Sequence, residues 1–147
     1  MTIEELLEEF SYLEDWGERC DFLIDLGFGL PPFAEDAKTE ENRVHGCQSM
    51  VWMVTEMKEG NVVGIQAESD AMIVKGLIFV LLTLFANKSP QEIMEVDVKS
   101  VFTQIGLDKH LSVTRKNGLN GMVKRIHDFA LSYIRQSNTT PSNTTQN

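Results

Sequence analysis

The side chains best suited to covalent chemistry in this chain are its two cysteines, Cys20 and Cys47. Cys47 stands in the segment Asn42-Arg43-Val44-His45-Gly46-Cys47-Gln48-Ser49-Met50-Val51-Trp52. Gly46 precedes it and Gln48 follows it, and Arg43 and His45 lie just upstream. The thiolate is the reactive form of cysteine, and neighbouring cations lower the thiol pKa. Glycine tolerates backbone angles that other residues resist, which helps expose the residue beside it. The pattern suits a thiol at the tip of a turn, beside positive charge, reachable by a large partner. Cys20 falls inside a helical pattern and reads as a small, partly buried hydrophobe.

Other chemistries find less support. A Cys/His hydrolase needs a base in reach of the nucleophile and a third group to orient that base. His45 is two residues from Cys47, so an extended strand would put both on one face. His110 and His127 are the only other histidines, and no hydrolase signature surrounds the cysteine. His127 falls near the apolar stripe of the last helix, as a boundary residue. The histidines and cysteines have no zinc-binding spacing, so no resident metal is expected. Gly27-Phe28-Gly29 lacks the rest of a dinucleotide fingerprint. Met50, Met53, Met57 and Met72 read as core filler. The residues by themselves predict a soluble α+β domain with one activated cysteine. They fit thiol exchange and sulfur transfer alike.

The elements that must position this cysteine are legible in the sequence. Thr2 with Glu5 is a capping box opening a first helix, whose apolar face is Ile3, Leu6, Leu7, Phe10 and Leu13. Asp15 with Glu18 repeats the signal for a second helix, burying Trp16, Phe22, Leu23 and Leu26 and stopping at Gly27. Leu30-Pro31-Pro32-Phe33 breaks regular structure, and an acidic loop follows from Glu35 to Glu41. Met50 to Met57 and Asn61 to Ser69 read as strands around a Glu59-Gly60-Asn61 turn. A short strand before Gly46 would complete a three-stranded antiparallel meander with Cys47 at its first turn. Ser69 or Asp70 would cap a core helix running to about Phe85, with Lys75 snorkelling from its flank. Ser89-Pro90-Gln91-Glu92 opens another helix. Asp97 caps a short one ended by Gly106. The last helix carries Leu119, Met122, Val123, Ile126, Phe129, Ala130, Tyr133 and Ile134. Residues 1–136 form the domain, and 137–147 read as a disordered polar tail.

Composition narrows the partners. A chain of 147 residues is one ordinary domain, and 42% hydrophobic residues suffice for a core. A net charge of −9 argues against nucleic acid and against anionic membrane surfaces. The apolar run Gly76 to Ala86 is about half the ~20 residues a membrane span needs, so a buried helix is expected. The start Thr2-Ile3-Glu4-Glu5 is acidic rather than a cationic leader. The expected compartment is the cytoplasm, with both thiols free.

The segment Arg43 to Trp52 resembles the signature of SufE-type sulfur acceptor proteins, the SufE/CsdE-like group. Ser69-Asp70-Ala71-Met72-Ile73-Val74-Lys75-Gly76-Leu77 resembles that family's central helix start. Trp16, Leu26-Gly27, Pro90, Ile93, Asp97, His110-Leu111-Ser112-Val113-Thr114-Arg115 and Gly118-Leu119 extend the match over nearly all of residues 1–136. The resemblance implies a SufE/NifU-like fold, a small antiparallel sheet covered by helices. It implies that Cys47 accepts persulfide sulfur from a cysteine desulfurase of the SufS/CsdA type and delivers it towards an iron–sulfur assembly scaffold. The protein then stimulates the desulfurase rather than acting as a free-standing enzyme. Pyridoxal phosphate belongs to that partner, and no cofactor is expected here. The chain lacks the extra cysteines of a cluster scaffold. Arg43, His45, Gly46 and Gln48 become the residues that orient the loop or favour its thiolate. Asp70, His110 and Arg115 become candidates for partner docking. Monomer and homodimer both fit. The alternative is a thiol-dependent interaction module or enzyme on the same fold, with Cys47 serving another electrophile.

Overall fold

A computed structural model describes residues 1–46 and 48–145, with side-chain surroundings as far as Gln136. Cys47 itself lies outside the described residues, as do residues 146–147 and the tail side chains from 137 onward. Expectations about them go with them.

Helices dominate because the caps work. In α1 (Ile3–Ser11) and α2 (Trp16–Gly27), reciprocal capping boxes satisfy the first backbone N–H groups: Thr2 with Glu5, and Asp15 with Glu18. A 3-10 turn (Glu35–Ala37) breaks the acidic loop. The strands β1 (Val51–Lys58) and β2 (Val62–Ser69) then pair antiparallel in the register Val51↔Ser69 to Lys58↔Val62. Gly60 and Asn61 turn the hairpin, both at positive φ. The helix α3 (Met72–Phe85) is followed by α4 (Pro90–Glu95), α5 (Val98–Ile105), α6 (Leu107–His110) and α7 (Val113–Thr145). Ser89 and Glu92 form the capping box of α4, and Asp97 caps α5 through the Ser100 N–H.

The core lies where α3 crosses between α2 and the inner face of the hairpin. Leu77, Ile78, Val80, Leu81, Leu84 and Phe85 of α3 are sealed from solvent, as are Leu23 of α2 and Val63 of β2. The side chains of Val63, Ile65 and Ala67 alternate inward as the sequence pattern predicts, and Gln66 points out. The α2–α3 crossing is unusually close. A Cβ placed on Gly76 would stand 2.1 Å from the Leu23 carbonyl oxygen, so only glycine fits there. Arg19 ties α2 to the end of α5, donating from its guanidinium to the Ile105 oxygen at 2.7 Å and from Nε to the Leu13 oxygen at 3.2 Å. A cation at that carbonyl end also suits the helix dipole.

Two expectations are corrected. Among the described residues the sheet has two strands, not three. The expected first strand is reduced to one bridge, Arg43↔Trp52, with Val44 N–H donating to the Val51 oxygen and Met53 N–H to the Asn42 oxygen. Upstream extension stops because the Glu40 oxygen already accepts the Arg43 N–H in a turn, and Gly46 at φ 102° redirects the chain downstream. The cap of α3 is neither Ser69 nor Asp70. The cap residue is Ala71 with no side-chain cap bond, and the Ser69 hydroxyl oxygen accepts the Ala71 N–H at 3.2 Å. The Lys75 Nζ, partly exposed on the flank of α3, pairs with Glu68 at 3.5 Å.

Candidate functional site

The segment carrying Cys47 is strung between β1 and α7, and both of its stems are held by side chains. The downstream stem is held by Asp70, whose Oδ1 accepts the Met50 N–H at 3.0 Å. Asp70 was freed for this because Ala71, not Asp70, caps α3. The upstream stem runs over α7. Buried Val44 anchors it in the core. Arg125 donates from one guanidinium nitrogen to the Arg43 oxygen at 2.8 Å and from the other to the Glu41 oxygen at 2.5 Å.

The α7 surface beneath is shaped to take backbone. A Cβ on Gly121 would lie 3.3 Å from the His45 oxygen, and one on Gly46 would lie 3.7 Å from the Asn117 oxygen. Asn117, Gly121 and Arg125 recur every fourth residue, so they share one helix face. The helical pattern marked the apolar stripe of α7 but not this one. A glycine inside a helix costs ~1 kcal/mol against alanine, so Gly121 was the available sign that another backbone approaches.

Arg43 and His45 turn towards one carboxylate, Glu40. The His45 Nε2 lies 3.2 Å from Glu40 Oε1, and an Arg43 guanidinium nitrogen lies 4.0 Å from Oε2. His45 is largely exposed, whereas the Arg43 side chain is mostly covered and its Nε is buried without a hydrogen-bond partner among the described residues. Sequence reasoning did not single out Glu40, which competes for whatever charge Arg43 would lend a thiolate. Gln48 is exposed, like His45 and Gly46. The residues on either side of Cys47 thus face solvent. Lys38 sits 5.4 Å above the ring of Trp52, at the foot of the downstream stem.

The other two expected docking residues gather elsewhere. His110 stacks on Trp16 with ring centroids 4.8 Å apart and planes 11° apart. With Arg115, Cys20 and Ile73 they line a cleft of about 380 Å³, to which none of Arg43, His45, Gly46, Gln48 or Asp70 contributes. One terminal nitrogen of Arg115 is buried without a hydrogen-bond partner among the described residues. Burial pushes the Cys20 thiol up from its ordinary value, Asp21 adds to the rise, and Arg115 opposes it. A raised thiol pKa leaves less of the thiolate, the reactive form, at neutral pH. His127 meets Phe85 edge-on at 5.7 Å, at the boundary of the core.

Among the described residues, no group of three or more His, Cys, Asp or Glu side chains could hold a metal ion. No described helix is long and apolar enough to cross a membrane.

What these elements define is an α+β domain, a hairpin under helices, whose Gly-Cys segment is tied at both stems and flanked by exposed residues. The chain belongs to the SufE family: a family model described as SufE, Fe-S metabolism associated domain, matches residues 4–130. An uncharacterised SufE-like protein of Rhizobium etli is 39% identical over 132 residues, covering 88% of this chain and 89% of that one. An uncharacterised SufE-like protein of Rhizobium meliloti is also 39% identical, covering 88% of this chain and 94% of that one. The solution structure of a hypothetical protein from Thermus thermophilus superposes with a TM-score of 0.71 over 92% of this chain and 99% of its own. At 23% identity that likeness speaks for the fold. An association with iron–sulfur metabolism follows from the family.

Proposed function

We propose that this protein is a sulfur acceptor that takes persulfide sulfur from a cysteine desulfurase onto Cys47 and hands it on for iron–sulfur cluster assembly. The observation that carries the reading is the Gly-Cys segment itself, in a member of this family, with exposed residues on both sides and both stems held by the fold. A thiol that must enter another protein's active site needs a protruding segment with a fixed base.

In the transfer step, the Cys47 thiol loses its proton to solvent. The thiolate attacks the outer sulfur of the partner's cysteine persulfide. The partner's sulfur–sulfur bond breaks as the new one forms on Cys47, and the partner leaves as a thiolate, so electrons balance without an external oxidant. Pyridoxal phosphate stays with the desulfurase, and this chain works without a cofactor of its own. His110 and Arg115 serve docking at their own cleft, and Asp70 serves the loop. The same step in reverse order of partners would pass the sulfur to an assembly scaffold. Its site of action is the cytoplasm.

Intact-mass analysis after mixing with a cysteine desulfurase and cysteine tests this directly. Wild type and Cys20→Ser should each gain about one sulfur. The Cys47→Ser variant should gain none. No gain on wild type beside an active cognate desulfurase would leave the family fold standing and remove the sulfur-acceptor role.

A further inference from the structure

Arg125 is spent in an unusual way. The chain holds 22 acidic residues, yet the hydrogen bonds of this guanidinium go to two main-chain carbonyls, those of Glu41 and Arg43. A forked cation fits such a pair as a single-point ammonium cannot. Both acceptors belong to the upstream stem of the Cys47 segment, and they flank Asn42, whose own oxygen accepts the Met53 N–H of β1. Residues 41–43 are therefore gripped from two sides, by a strand and by a helix. Among the described residues, the opposite stem is held at Met50 by Asp70 alone, whose Oδ1 accepts the Met50 N–H and whose own N–H donates to the Met50 oxygen.

We infer that Arg125 is a positioning residue for sulfur transfer, clamping residues 41–43 so that the upstream stem leading to Cys47 is already ordered when it meets the partner. This rests on the sulfur-acceptor reading above. A segment free at one stem must be ordered when the complex forms, and that ordering weakens binding. A segment held at both stems has lost that freedom on folding. Arg125 touches no reacting atom in this scheme. Its effect falls on the encounter, not on the sulfur exchange.

The experiment compares wild type with Arg125→Ala, Arg125→Lys and Lys124→Ala in full-length protein. Lys124 is the adjacent control, exposed and paired with Asp128 on its own helix. The first readout is stimulation of a cysteine desulfurase as a function of carrier concentration. Arg125→Ala should raise the half-saturating concentration about tenfold, the worth of one charge-assisted bond, at an unchanged maximal rate. Arg125→Lys should fall between, and Lys124→Ala should match wild type. The second readout is amide exchange at Val44 and Met53, which should quicken in Arg125→Ala while the rest of β1 and α7 keeps its protection.

An unchanged half-saturating concentration overturns the inference. So does a loss of maximal rate with no shift in half-saturation, which would put Arg125 in the chemistry. Faster exchange throughout α7 overturns it too, as general destabilisation. If wild type takes up no sulfur, the sulfur-acceptor reading fails instead. That failure is separable, because the exchange measurement needs no desulfurase.

Discussion

Replacing Gly76 by alanine tests the closeness of the α2–α3 crossing. The new Cβ would stand 2.1 Å from the Leu23 oxygen, 2.5 Å from its carbonyl carbon and 2.9 Å from its Cβ. Ordinary contact begins at 3.4 Å, so α2 must retreat by more than an ångström at Leu23. The obstacle is backbone, so no rotamer change relieves it. Leu23, Leu77 and Val80 are all sealed from solvent, and a retreat of α2 loosens their packing together. Overpacking of this kind costs about 1–3 kcal/mol, and rigid backbone puts the case in the upper part of that range. The helix propensity of alanine returns ~1 kcal/mol. The net expectation is a loss of about 1–2 kcal/mol. For a domain of this size each kcal/mol moves Tm by roughly 2–4 °C, so Tm should fall by about 2–8 °C. Thermal melts followed by far-UV circular dichroism, with urea melts alongside, supply the assay. A Tm equal to or above that of wild type would refute the steric reasoning, because propensity would then outweigh contact.

Replacing Asp70 by alanine should quicken amide exchange at Met50 while changing global stability by less than ~1 kcal/mol, since the bond is an exposed one; unchanged Met50 exchange would show that Asp70 does not hold the stem. Ser89 N–H donates to Glu92 and, with the Ser89 hydroxyl, holds that carboxyl below its ordinary value. A lowered carboxyl pKa stabilises the fold above the unfolded value of 4.5 and stops doing so as pH falls through the folded value. The Tm gap between wild type and Glu92→Gln should therefore be present at pH 7 and shrink as pH falls below 4.5, and a gap of unchanged size at pH 7 and pH 3 would contradict this. In a Cys47→Ser background, Cys20 should react with iodoacetamide more slowly than a free thiol at pH 8, since burial raises its pKa; labelling at the free-thiol rate would refute the assignment. Replacing Arg115 by alanine should weaken desulfurase stimulation while Tm moves by less than about 3 °C, the scale of one partly buried polar contact. Unchanged stimulation would remove Arg115 from docking.

The parts of this fold that read directly from sequence are those decided within a few residues. Capping boxes at Thr2, Asp15 and Ser89, the αL stop at Gly106 and the Gly60-Asn61 turn each depend on neighbours in the chain, and each stands where its signal stood. The third strand failed for the opposite reason. Whether Asn42 to Val44 extends into a ladder depends on where the Glu40 and Arg43 oxygens find donors, and those donors are a local turn and a helix more than eighty residues on. Ser69 and Asp70 look like caps by type, but one bonds within its own turn and the other crosses to Met50. Around the candidate site, residue types flagged Arg43, His45 and Asp70. The residues that hold the segment's upstream side, Arg125 and Gly121, belong to a helix whose pattern announces only its apolar face. Helix α6 was missed because four residues carry too little periodicity to register.

The two tryptophans divide the molecule optically. Trp52 lies at the foot of the Cys47 segment under the Lys38 ammonium, and Trp16 lies against His110 in the cleft that holds Cys20 and Arg115. An indole beside a cation and an indole stacked on an imidazole emit differently, and each responds to what happens beside it. Single-tryptophan versions, Trp16→Phe and Trp52→Phe, would turn the protein into its own pair of fluorophores. One would report the segment that carries the thiol, and the other would report the cleft, so a docking event could be timed at each without attaching a dye.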